Sequence, residues 1–548
     1  MGKDAVQKQN NSLNESTRKT GLASGKALII GGGEYAEALA RMFFKENIPP
    51  IILTPPENPE SNGAQNALDF AEIISGNALS CHGGPGNFTI SIDSAGEKKS
   101  LCASAVIFAE ETRRLPLFES YGIKESSSAI SLSAAVANPG LLADAESIVF
   151  TVGLKQESNP VIFEEAARVC LDLLGPSNDP GQPKKKIYIF ANNLKVAENH
   201  LDILHSQTRR AGAVYFKFTK NPPKISQSAQ GNVSFEGVDE LTQRPFVISP
   251  DMVVADEIII PSPEFKALSL RMGLELDENG FIQGDNVHRL SVATNRKGIF
   301  VAGPARNIQG MDGDARDAAL SVLHSRHMIH QTPSDEPTAE INPGSCVFCL
   351  TCLRSCPHGA IELAPGPKII KEACQGCGAC RSLCPGNAIS MIGLDDPALS
   401  GSKIKETRLE LPDHLPVIVS FCCARSGARA LESSLASGEA LPQGLVALEL
   451  PCAAAICVED IYSAFKNGAD GVLILTCHDG NCHSGKGHAM PRDKASYAAD
   501  FFKQIKIDPK RIQTASLASN MASSGLGILT DFQKLLSTMG RFSHQKNN

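Results

Sequence analysis

Eight cysteines between Cys346 and Cys384 stand in two copies of one spacing, and their thiolates could hold iron. Each copy has three cysteines two residues apart, then a fourth after three more residues and directly before a proline. In iron–sulfur proteins with this run, the fourth cysteine of each copy ligates the cluster of the other copy. The spacing therefore predicts two 4Fe-4S clusters. One would be held by Cys346, Cys349, Cys352 and Cys384, and the other by Cys356, Cys374, Cys377 and Cys380.

Zinc and disulfides are the alternatives for such a density of thiols. Zinc favours two well-separated ligand pairs, and dense disulfides belong to small secreted scaffolds rather than to a chain of 548 residues. The run is that of bacterial ferredoxins, so we expect electrons to pass through this protein.

A second group of thiols follows predicted strands near the end of the chain. The segments 417–421, 444–450, 471–475 and 513–517 read as short parallel strands alternating with helices, which predicts a flavodoxin-like sheet. Ligands of such sheets bind at the carboxyl ends of the strands. Thiols lie at those ends, at Cys422, Cys423, Cys452, Cys477 and Cys482. Four of them could hold a 2Fe-2S cluster, with nearby histidines as hydrogen-bond donors to sulfur; buried structural cysteines are the alternative.

The segment 26–30 is an apolar strand that runs into a glycine-rich turn and a helical pattern. This is the arrangement of a dinucleotide-binding fold. Gly31 would make the turn, Gly33 would admit a pyrophosphate, and Ala36 would allow close packing of helix and strand. The next predicted strand ends in Thr54, where an acidic residue usually binds the ribose. A Rossmann-like half that binds nucleotide weakly or not at all therefore stays open.

A second strand, turn and helix begins at 147, without a Gly-x-Gly-x-x-Gly fingerprint, so the sequence does not support a nicotinamide site. Further on, the strand 298–302 ends at Gly303, and Gly310 opens a helical pattern. Flavoproteins with two dinucleotide folds return to the flavin with such a strand, which makes these two glycines candidate FAD contacts. A plain α/β strand and helix is the alternative.

Composition agrees with a globular redox protein. The net charge of −7 argues against nucleic acid as a partner, and 42% of the residues are hydrophobic. We expect neither a secretory signal in the polar first 25 residues nor a membrane-spanning segment. The expected location is cytoplasmic, with any membrane association through a partner subunit.

Taken together, these motifs resemble the A-type subunit of heterodisulfide reductase fused to the delta subunit of methyl-viologen-reducing hydrogenase. The chain is also similar to the B-type subunit of the quinone-interacting membrane-bound oxidoreductase. The most specific match is the terminal part, with Cys452, the segment 464–473 and the segment 477–483. The delta subunits open their site with Cys-x-x-Cys, whereas this chain has Ser420 in the first place, so Cys423 is aligned with the second and Cys422 competes with it.

The resemblance implies an α/β fold. It would be a flavoprotein with two Rossmann-like dinucleotide-binding domains, a bacterial 2×4Fe-4S ferredoxin insert and a C-terminal flavodoxin-like domain. The expected divisions are a flexible tail (1–25), an FAD-binding half (26–147), a second nucleotide-fold-like domain (148–275), the return to the flavin domain (276–332), the ferredoxin domain (333–395), a linker (396–415) and a hydrogenase-delta-like 2Fe-2S domain (416–548).

Three functions remain open. The first is an electron-transfer subunit of an anaerobic oxidoreductase complex, which carries FAD, two 4Fe-4S clusters and a 2Fe-2S cluster held by Cys423, Cys452, Cys477 and Cys482. Its partners would be other redox subunits: heterodisulfide reductase B- and C-like chains, a hydrogenase, a formate dehydrogenase or a quinone-interacting membrane subunit. The alternatives are a flavin-free iron–sulfur adaptor and a stand-alone NAD(P)H-dependent flavin oxidoreductase. We further expect the terminal cluster to lie near the surface as the contact to a partner.

Overall fold

The computed structural model describes residues 25–56, 69–155, 157, 159–175, 185–192, 200–282, 291–330, 337–392 and 397–542. The predicted tail lies outside these ranges except for Gly25, as do the residues 331–336 and 393–396 that flank the ferredoxin part.

The first part of the chain forms a parallel sheet with an antiparallel three-stranded meander beside it. Its elements are β1 (Ala27–Ile30), α1 (Gly33–Lys45), β2 (Pro50–Thr54), β3 (Glu72–Ser75), β4 (Asn77–Gly84), β5 (Asn87–Ser94), β6 (Glu97–Ala103), β7 (Ala105–Phe108), β8 (Thr112–Pro116) and α2 (Phe118–Tyr121). Strand β1 is buried along its whole length, as expected for a central parallel strand covered on both faces.

The second part repeats this plan. Its elements are β9 (Ala129–Ser131), α3 (Leu132–Ala137), β10 (Ser147–Val152), α4 (Pro160–Leu174), β11 (Lys186–Ala191), α5 (Leu201–Ala211), β12 (Val214–Lys217), β13 (Lys224–Gln227), β14 (Val233–Val238), β15 (Pro245–Ile248) and β16 (Met252–Ala255). The parallel sheet has the order β12-β11-β10-β16-β9, and β13, β14 and β15 form the meander.

The chain then returns to the first sheet through β17 (Glu257–Pro261), α6 (Pro263–Arg271), β18 (Ile299–Val301) and α7 (Met311–His330). Strand β18 completes the order β18-β7-β1-β2-β3. The crossing strands β8 and β17 pair antiparallel. Two parallel sheets of the same plan, joined by such a pair, confirm the predicted two-dinucleotide-fold architecture.

The places where the chain passes from one sheet to the other differ from the expected domain boundaries at 147 and 276. Strand β9 pairs with β16 in the second sheet, although it lies before 147. Phe265, Met272 and Leu274 pack in the core of the first sheet, although they lie before 276. The strand pair that joins the halves, rather than the next strong strand in the sequence, marks the change of sheet.

The ferredoxin part is small and nearly two-fold symmetric. It consists of β19 (Ala339–Ile341), α8 (Thr351–Ser355), β20 (Ile361–Leu363), β21 (Pro367–Ile369), α9 (Ala379–Ser382) and β22 (Ile389–Met391). Strand β19 pairs with β22 and β20 with β21, both antiparallel.

The last part is a four-stranded parallel sheet with helices on both faces. It consists of α10 (Pro397–Glu410), β23 (Ile418–Cys423), α11 (Gly427–Ala436), β24 (Leu445–Leu450), α12 (Val458–Lys466), β25 (Gly471–Cys477), α13 (Met490–Gln504), β26 (Ile512–Leu517) and α14 (Ala522–Met539). The order β24-β23-β25-β26 is that of a flavodoxin-like sheet. The expected linker 396–415 is therefore mostly helix, and its buried Ile404 packs in the core of this domain.

No helix in these described ranges is long and apolar enough to cross a bilayer.

Candidate iron–sulfur and nucleotide sites

The fourth cysteine of the first run lies with the first three cysteines of the second run. Cys356, Cys374, Cys377 and Cys380 line one cavity, together with apolar side chains of Ala339, Ile361 and Ile369. We call these four cysteines the second-run site. Burial raises the pKa of Cys377 to about 12, so an unmetallated site would be protonated at neutral pH, and bound iron would have to displace those protons.

Cys384 lies beside the first run, as the crossing arrangement requires. A Cβ atom placed on Gly386, two residues after Cys384, would lie 2.8 Å from the Ser345 carbonyl oxygen and 3.6 Å from Val347 Cγ1. The loop of Cys384 therefore packs on the loop that begins at Cys346. We call Cys346, Cys349, Cys352 and Cys384 the first-run site. Its Cys349 is exposed.

Backbone amides donate to sulfur at equivalent places in both runs. Ala360 N–H donates to Cys356 Sγ and Ala388 N–H donates to Cys384 Sγ, each at 3.3 Å. Each donor lies four residues after its cysteine, because the proline turn brings the chain back over the sulfur. Such hydrogen bonds to sulfur are among the features that set cluster potentials.

The third group of thiols is Cys423, Cys452, Cys477 and Cys482, which we call the terminal quartet. Cys423 and Cys477 end the adjacent strands β23 and β25, and their sulfurs lie 3.4 Å apart. Cys452 follows β24, and a Cβ atom on Gly487 would lie 3.1 Å from Cys452 Sγ and 3.3 Å from Cys482 Sγ. The quartet therefore occupies the point where the strand order reverses, which is where such sheets bind ligands.

Within the quartet the sulfurs share protons. Hydrogen bonds from Cys452 and Cys477 lower the pKa of Cys423 and that of Cys482, and the same bonds raise the pKa of the two donors. Four buried sulfurs in one ring suit a cationic centre that replaces the shared protons. In the described ranges no three His, Cys, Asp or Glu side chains have the spacing of a site for one metal ion, so the assignment depends on the groups of four thiols.

The adjacent thiols Cys422 and Cys423 lie on opposite faces of the sheet, because side chains alternate along a strand. Cys423 packs in the core cluster that contains Cys477 and Cys482, whereas Cys422 packs on the opposite face, with Leu431. Cys422 also contacts the Ser420 hydroxyl, with 3.3 Å between sulfur and oxygen. Cys423 is therefore the thiol that joins the quartet, and Cys422 does not compete with it.

The terminal quartet and the second-run site are neighbours. Cys377 packs against the buried cluster formed by Ala379, Cys452 and Ala454. A Cβ atom on Gly378 would overlap the Ala455 Cβ and lie 2.9 Å from the Ala455 Cα, so only glycine allows this approach. All four quartet cysteines are buried, whereas the loop 478–480 between Cys477 and Cys482 is exposed, so a terminal cluster near the surface stays a prediction.

Sequence reasoning missed the polar groups of this junction. Arg381 forms two hydrogen bonds to the Asp460 carboxylate, at 2.8 and 3.1 Å, and donates to the Ala455 carbonyl oxygen. His358 is buried between Asn295 and Ser484. Arg381 directly follows Cys380 and Ser484 lies two residues after Cys482, so proximity to a predicted ligand was the available signal.

The predicted nucleotide turn has the right backbone for a pyrophosphate. Gly31 has φ +146° and Gly33 φ +84°, Gly33 starts α1, and Ala36 is buried in the core against the sheet. The buried Thr54 hydroxyl at the end of β2 has no hydrogen-bond partner within the described part of the chain, which suits a ribose hydroxyl.

Acidic side chains lie at the glycine turn where a pyrophosphate would bind. A Cβ atom on Gly33 would overlap Glu111 Oε1 and lie 3.0 Å from Glu111 Oε2, so this carboxylate lies against the turn. Burial, followed by the charges of Glu111 and Glu264, raises the pKa of Glu110 to about 7. The backbone thus fits the pyrophosphate of FAD, and the Glu111 side chain is the group that must leave.

The other predicted flavin contacts approach different side chains. The Tyr35 ring lies against Gly303 and would overlap a Cβ atom placed there, and Gly310 approaches the Glu164 carboxylate of the second half. In the second sheet, the turn after β10 is closed internally, because Gly153 N–H donates to the buried Asp256 carboxylate at 2.6 Å. This agrees with the absence of a nicotinamide fingerprint there.

Two family models match separate parts of the chain. The model described as methyl-viologen-reducing hydrogenase, delta subunit, matches residues 418–540. The model described as 4Fe-4S dicluster domain matches residues 338–391. The terminal part thus resembles a hydrogenase delta subunit, and the central part a ferredoxin-type dicluster domain.

Curated relatives extend the resemblance to most of the chain. The A-type subunit of the ferredoxin:CoB-CoM heterodisulfide reductase of Methanosarcina mazei is 23% identical over 402 residues, which cover 72% of this chain and 50% of the relative. The D-type iron–sulfur subunit of the F420-non-reducing hydrogenase of Archaeoglobus profundus is 23% identical over 24% of this chain and 96% of its own length. The predicted resemblance to a fusion of these two kinds of subunit is confirmed.

The chain spans half or less of the length of the heterodisulfide reductase subunits it matches, at 50%, 31% and 45%. Among solved structures, thioredoxin reductase of Lactococcus lactis is 15% identical over 56% of this chain and 98% of its own, with a TM-score of 0.37.

Proposed function

We propose that this chain is an electron-transfer subunit of a multi-subunit anaerobic oxidoreductase complex, of the heterodisulfide reductase-like or quinone-interacting type. The first-run and second-run sites would hold 4Fe-4S clusters and the terminal quartet a 2Fe-2S cluster. The packing of Cys377 against the buried cluster that contains Cys452 supports this best, because electron transfer within a chain needs neighbouring centres.

The protein's own role is to place and insulate these centres. The ferredoxin part lies between the other parts: Asn295 of the first half donates to the Pro357 carbonyl oxygen, and Arg381 is bonded to Asp460 of the terminal domain. When bound, iron–sulfur clusters carry single electrons and a flavin exchanges electrons in pairs.

The series of three cysteine sites has two ends that partner subunits could contact. At one end, Cys349 is exposed, beside Val347 and Phe348, which are 64% and 58% exposed. At the other end, the exposed loop 478–480 lies between Cys477 and Cys482. The partners would be redox subunits of the kinds that the relatives' names describe, heterodisulfide reductases and hydrogenases.

FAD in the first sheet is part of the proposal, held by the turn at Gly31 and Gly33. A specific observation favours a second candidate, a flavin-free iron–sulfur adaptor: the Glu111 carboxylate lies where the pyrophosphate would bind. The three cysteine groups would hold iron–sulfur clusters and carry electrons in both candidate functions.

Metal analysis and electron paramagnetic resonance of the anaerobically purified full chain test the proposal. We expect about ten irons per chain, eight in two 4Fe-4S clusters and two in the quartet. Cys477→Ser should remove only the 2Fe-2S signal, and Cys170→Ser, a buried cysteine in the second-half core, should remove none. Zinc in the quartet, or a chain that takes up no iron on reconstitution, would contradict the proposal.

A further inference from the structure

The carboxyl ends of four strands in the first sheet form one continuous edge, in the order β18, β7, β1 and β2. After β1, Gly31 N–H donates to the Leu53 carbonyl oxygen of β2 at 3.0 Å. After β18, Ala302 N–H donates to the Phe108 carbonyl oxygen of β7 at 2.9 Å. In a dinucleotide-binding fold the end of the second strand binds the ribose, and the glycine turn after the first strand binds the pyrophosphate. The other half of FAD would therefore extend over the ends of β7 and β18.

The ribose end of this edge has an unused polar group. Thr54 ends β2 and is only 4% exposed, and its hydroxyl has no hydrogen-bond partner among the residues that the structure describes. A buried polar group is normally hydrogen-bonded, and leaving it unpaired costs stability. A ribose hydroxyl placed here would satisfy it. Beside it, the turn at Gly33 begins α1, and the N-terminus of a helix favours an anion. This end of the edge therefore fits a ribose and a diphosphate.

The flavin end of the same edge is filled by the aromatic ring of Tyr35. This residue lies in the first turn of α1. A Cβ atom placed on Gly303 would overlap Tyr35 Cζ and lie 2.7 Å from Tyr35 Cε2. The Tyr35 hydroxyl donates to the Asp314 carbonyl oxygen of α7 at 3.1 Å, and the side chain packs on the core beneath α1. Both ends of the side chain are therefore held, with the ring over Gly303.

The backbone beneath the ring is satisfied within the protein. Gly303 N–H donates to the Asp317 carboxylate at 3.2 Å. The same carboxylate oxygen accepts from Arg306 Nε at 2.7 Å and from Gln309 Nε2 at 2.6 Å. A ribityl chain and flavin ring would have to displace Tyr35 and break its hydrogen bond to α7. A nucleoside diphosphate ends at the glycine turn and leaves this side chain in place.

We propose that this edge of the first sheet binds a nucleoside diphosphate, and that Tyr35 selects this ligand over FAD because its ring closes the flavin end. The Glu111 carboxylate at the turn repels the diphosphate of both ligands alike, so it weakens both without distinguishing them. The inference specifies the ligand of the site where the proposed function places FAD. It does not require the iron–sulfur clusters, and it favours the flavin-free candidate.

Isothermal titration calorimetry of the full chain with ADP, FAD and FMN tests the selection. Wild-type protein freed of nucleotide should bind ADP at least about tenfold more tightly than FAD, because FAD must break the Tyr35 hydrogen bond and unpack the ring. FMN, which lacks the nucleoside diphosphate, should not bind. Tyr35→Ala should tighten FAD binding at least about tenfold and leave the affinity for ADP unchanged. Tyr35→Phe keeps the ring and should still prefer ADP, and Tyr497→Ala, on the exposed side of α13, should match the wild type.

The ribose end is tested by Thr54→Val, which keeps the shape of the side chain and removes the hydroxyl. Its affinity for ADP should fall about threefold to tenfold, the effect of one hydrogen bond. Wild-type protein that binds FAD as tightly as ADP, or that does not bind ADP, overturns the inference. An unchanged preference for ADP in folded Tyr35→Ala overturns it as well. If Tyr35→Ala does not fold, the ratio of the wild-type affinities and the Thr54→Val result decide.

The iron content of the same preparations separates this inference from the proposed function. Tight FAD binding by wild-type protein with full iron overturns the inference and leaves the proposed function intact. Protein that takes up no iron on reconstitution contradicts the proposed function, whichever nucleotide it binds.

Discussion

The carboxylate of Glu111 is the clearest obstacle to flavin binding, and its replacement gives a quantitative test. Glu111→Gln keeps the size of the side chain and removes its charge. A Cβ atom on Gly33 would overlap Glu111 Oε1 and lie 3.0 Å from Oε2, so a pyrophosphate bound at this turn would come within about 4 Å of the carboxylate unless the side chain moved.

Two unit charges 4 Å apart repel by about 4 kcal/mol at an effective dielectric constant of about 20. The Glu111 side chain can rotate, and water screens it when it does, so we expect about 1–2 kcal/mol of this repulsion to remain. Each 1.4 kcal/mol is a tenfold change in affinity. Glu111→Gln should therefore tighten FAD binding about tenfold.

The assay is a titration of deflavinated protein with FAD, followed by flavin fluorescence under anaerobic conditions. Glu119→Gln is the matched control, because Glu119 is exposed in α2, away from the turn. A second readout is the pH dependence of FAD binding. The Glu111 charge helps to raise the pKa of Glu110 to about 7, so Glu110 loses its negative charge as pH falls below about 7. The affinity of the wild type for FAD should therefore rise over this range, and that of Glu111→Gln should rise less. Unchanged or weaker binding in Glu111→Gln would refute the proposed position of this carboxylate.

Four further outcomes are expected. Cys356→Ser should disturb the cluster of the second-run site and not that of the first-run site in redox-resolved spectra; loss of the first-run cluster alone would contradict the crossing assignment. Gly487→Ala places a methyl group 3.1 Å from Cys452 Sγ and should lower the quartet's iron content, whereas Gly527→Ala, in open space, should not. Arg381→Ala removes the hydrogen bonds to Asp460 and should lower the free energy of unfolding by about 2 kcal/mol in urea titrations, with Arg381→Lys in between; equal stability would show that the pair is dispensable. The pKa of Glu110 is raised from 4.5 to about 7, so between these pH values the folded protein keeps a proton on Glu110 that the unfolded chain has lost. The free energy of unfolding should therefore fall by up to about 3 kcal/mol as pH rises from about 4.5 to 7. Glu110→Gln should remove this dependence.

The sequence by itself determined the local features. Ligand spacing in each ferredoxin run is set by a few consecutive residues and a short helix, so the four-cysteine pattern could be read directly. Several strands of both Rossmann-like sheets and the four strands of the terminal sheet followed from continuous apolar runs and turn glycines, since burial on both faces of a parallel sheet leaves that pattern. The placement of thiols at strand ends followed from the rule that parallel strands end at one edge.

Tertiary structure decided everything that depends on residues distant in the chain. Strand alternation places Cys422 and Cys423 on opposite faces, but only the packing of helices on those faces shows which face holds the other thiols. Cys377 comes to lie against the cluster that contains Cys452 through the docking of two domains at Gly378 and Ala455. Glu111 reaches the turn of Gly33 because β7 lies beside β1 in the sheet, a pairing that composition and spacing do not specify. Local pattern therefore predicted the candidate ligands, and long-range packing determined which of them meet.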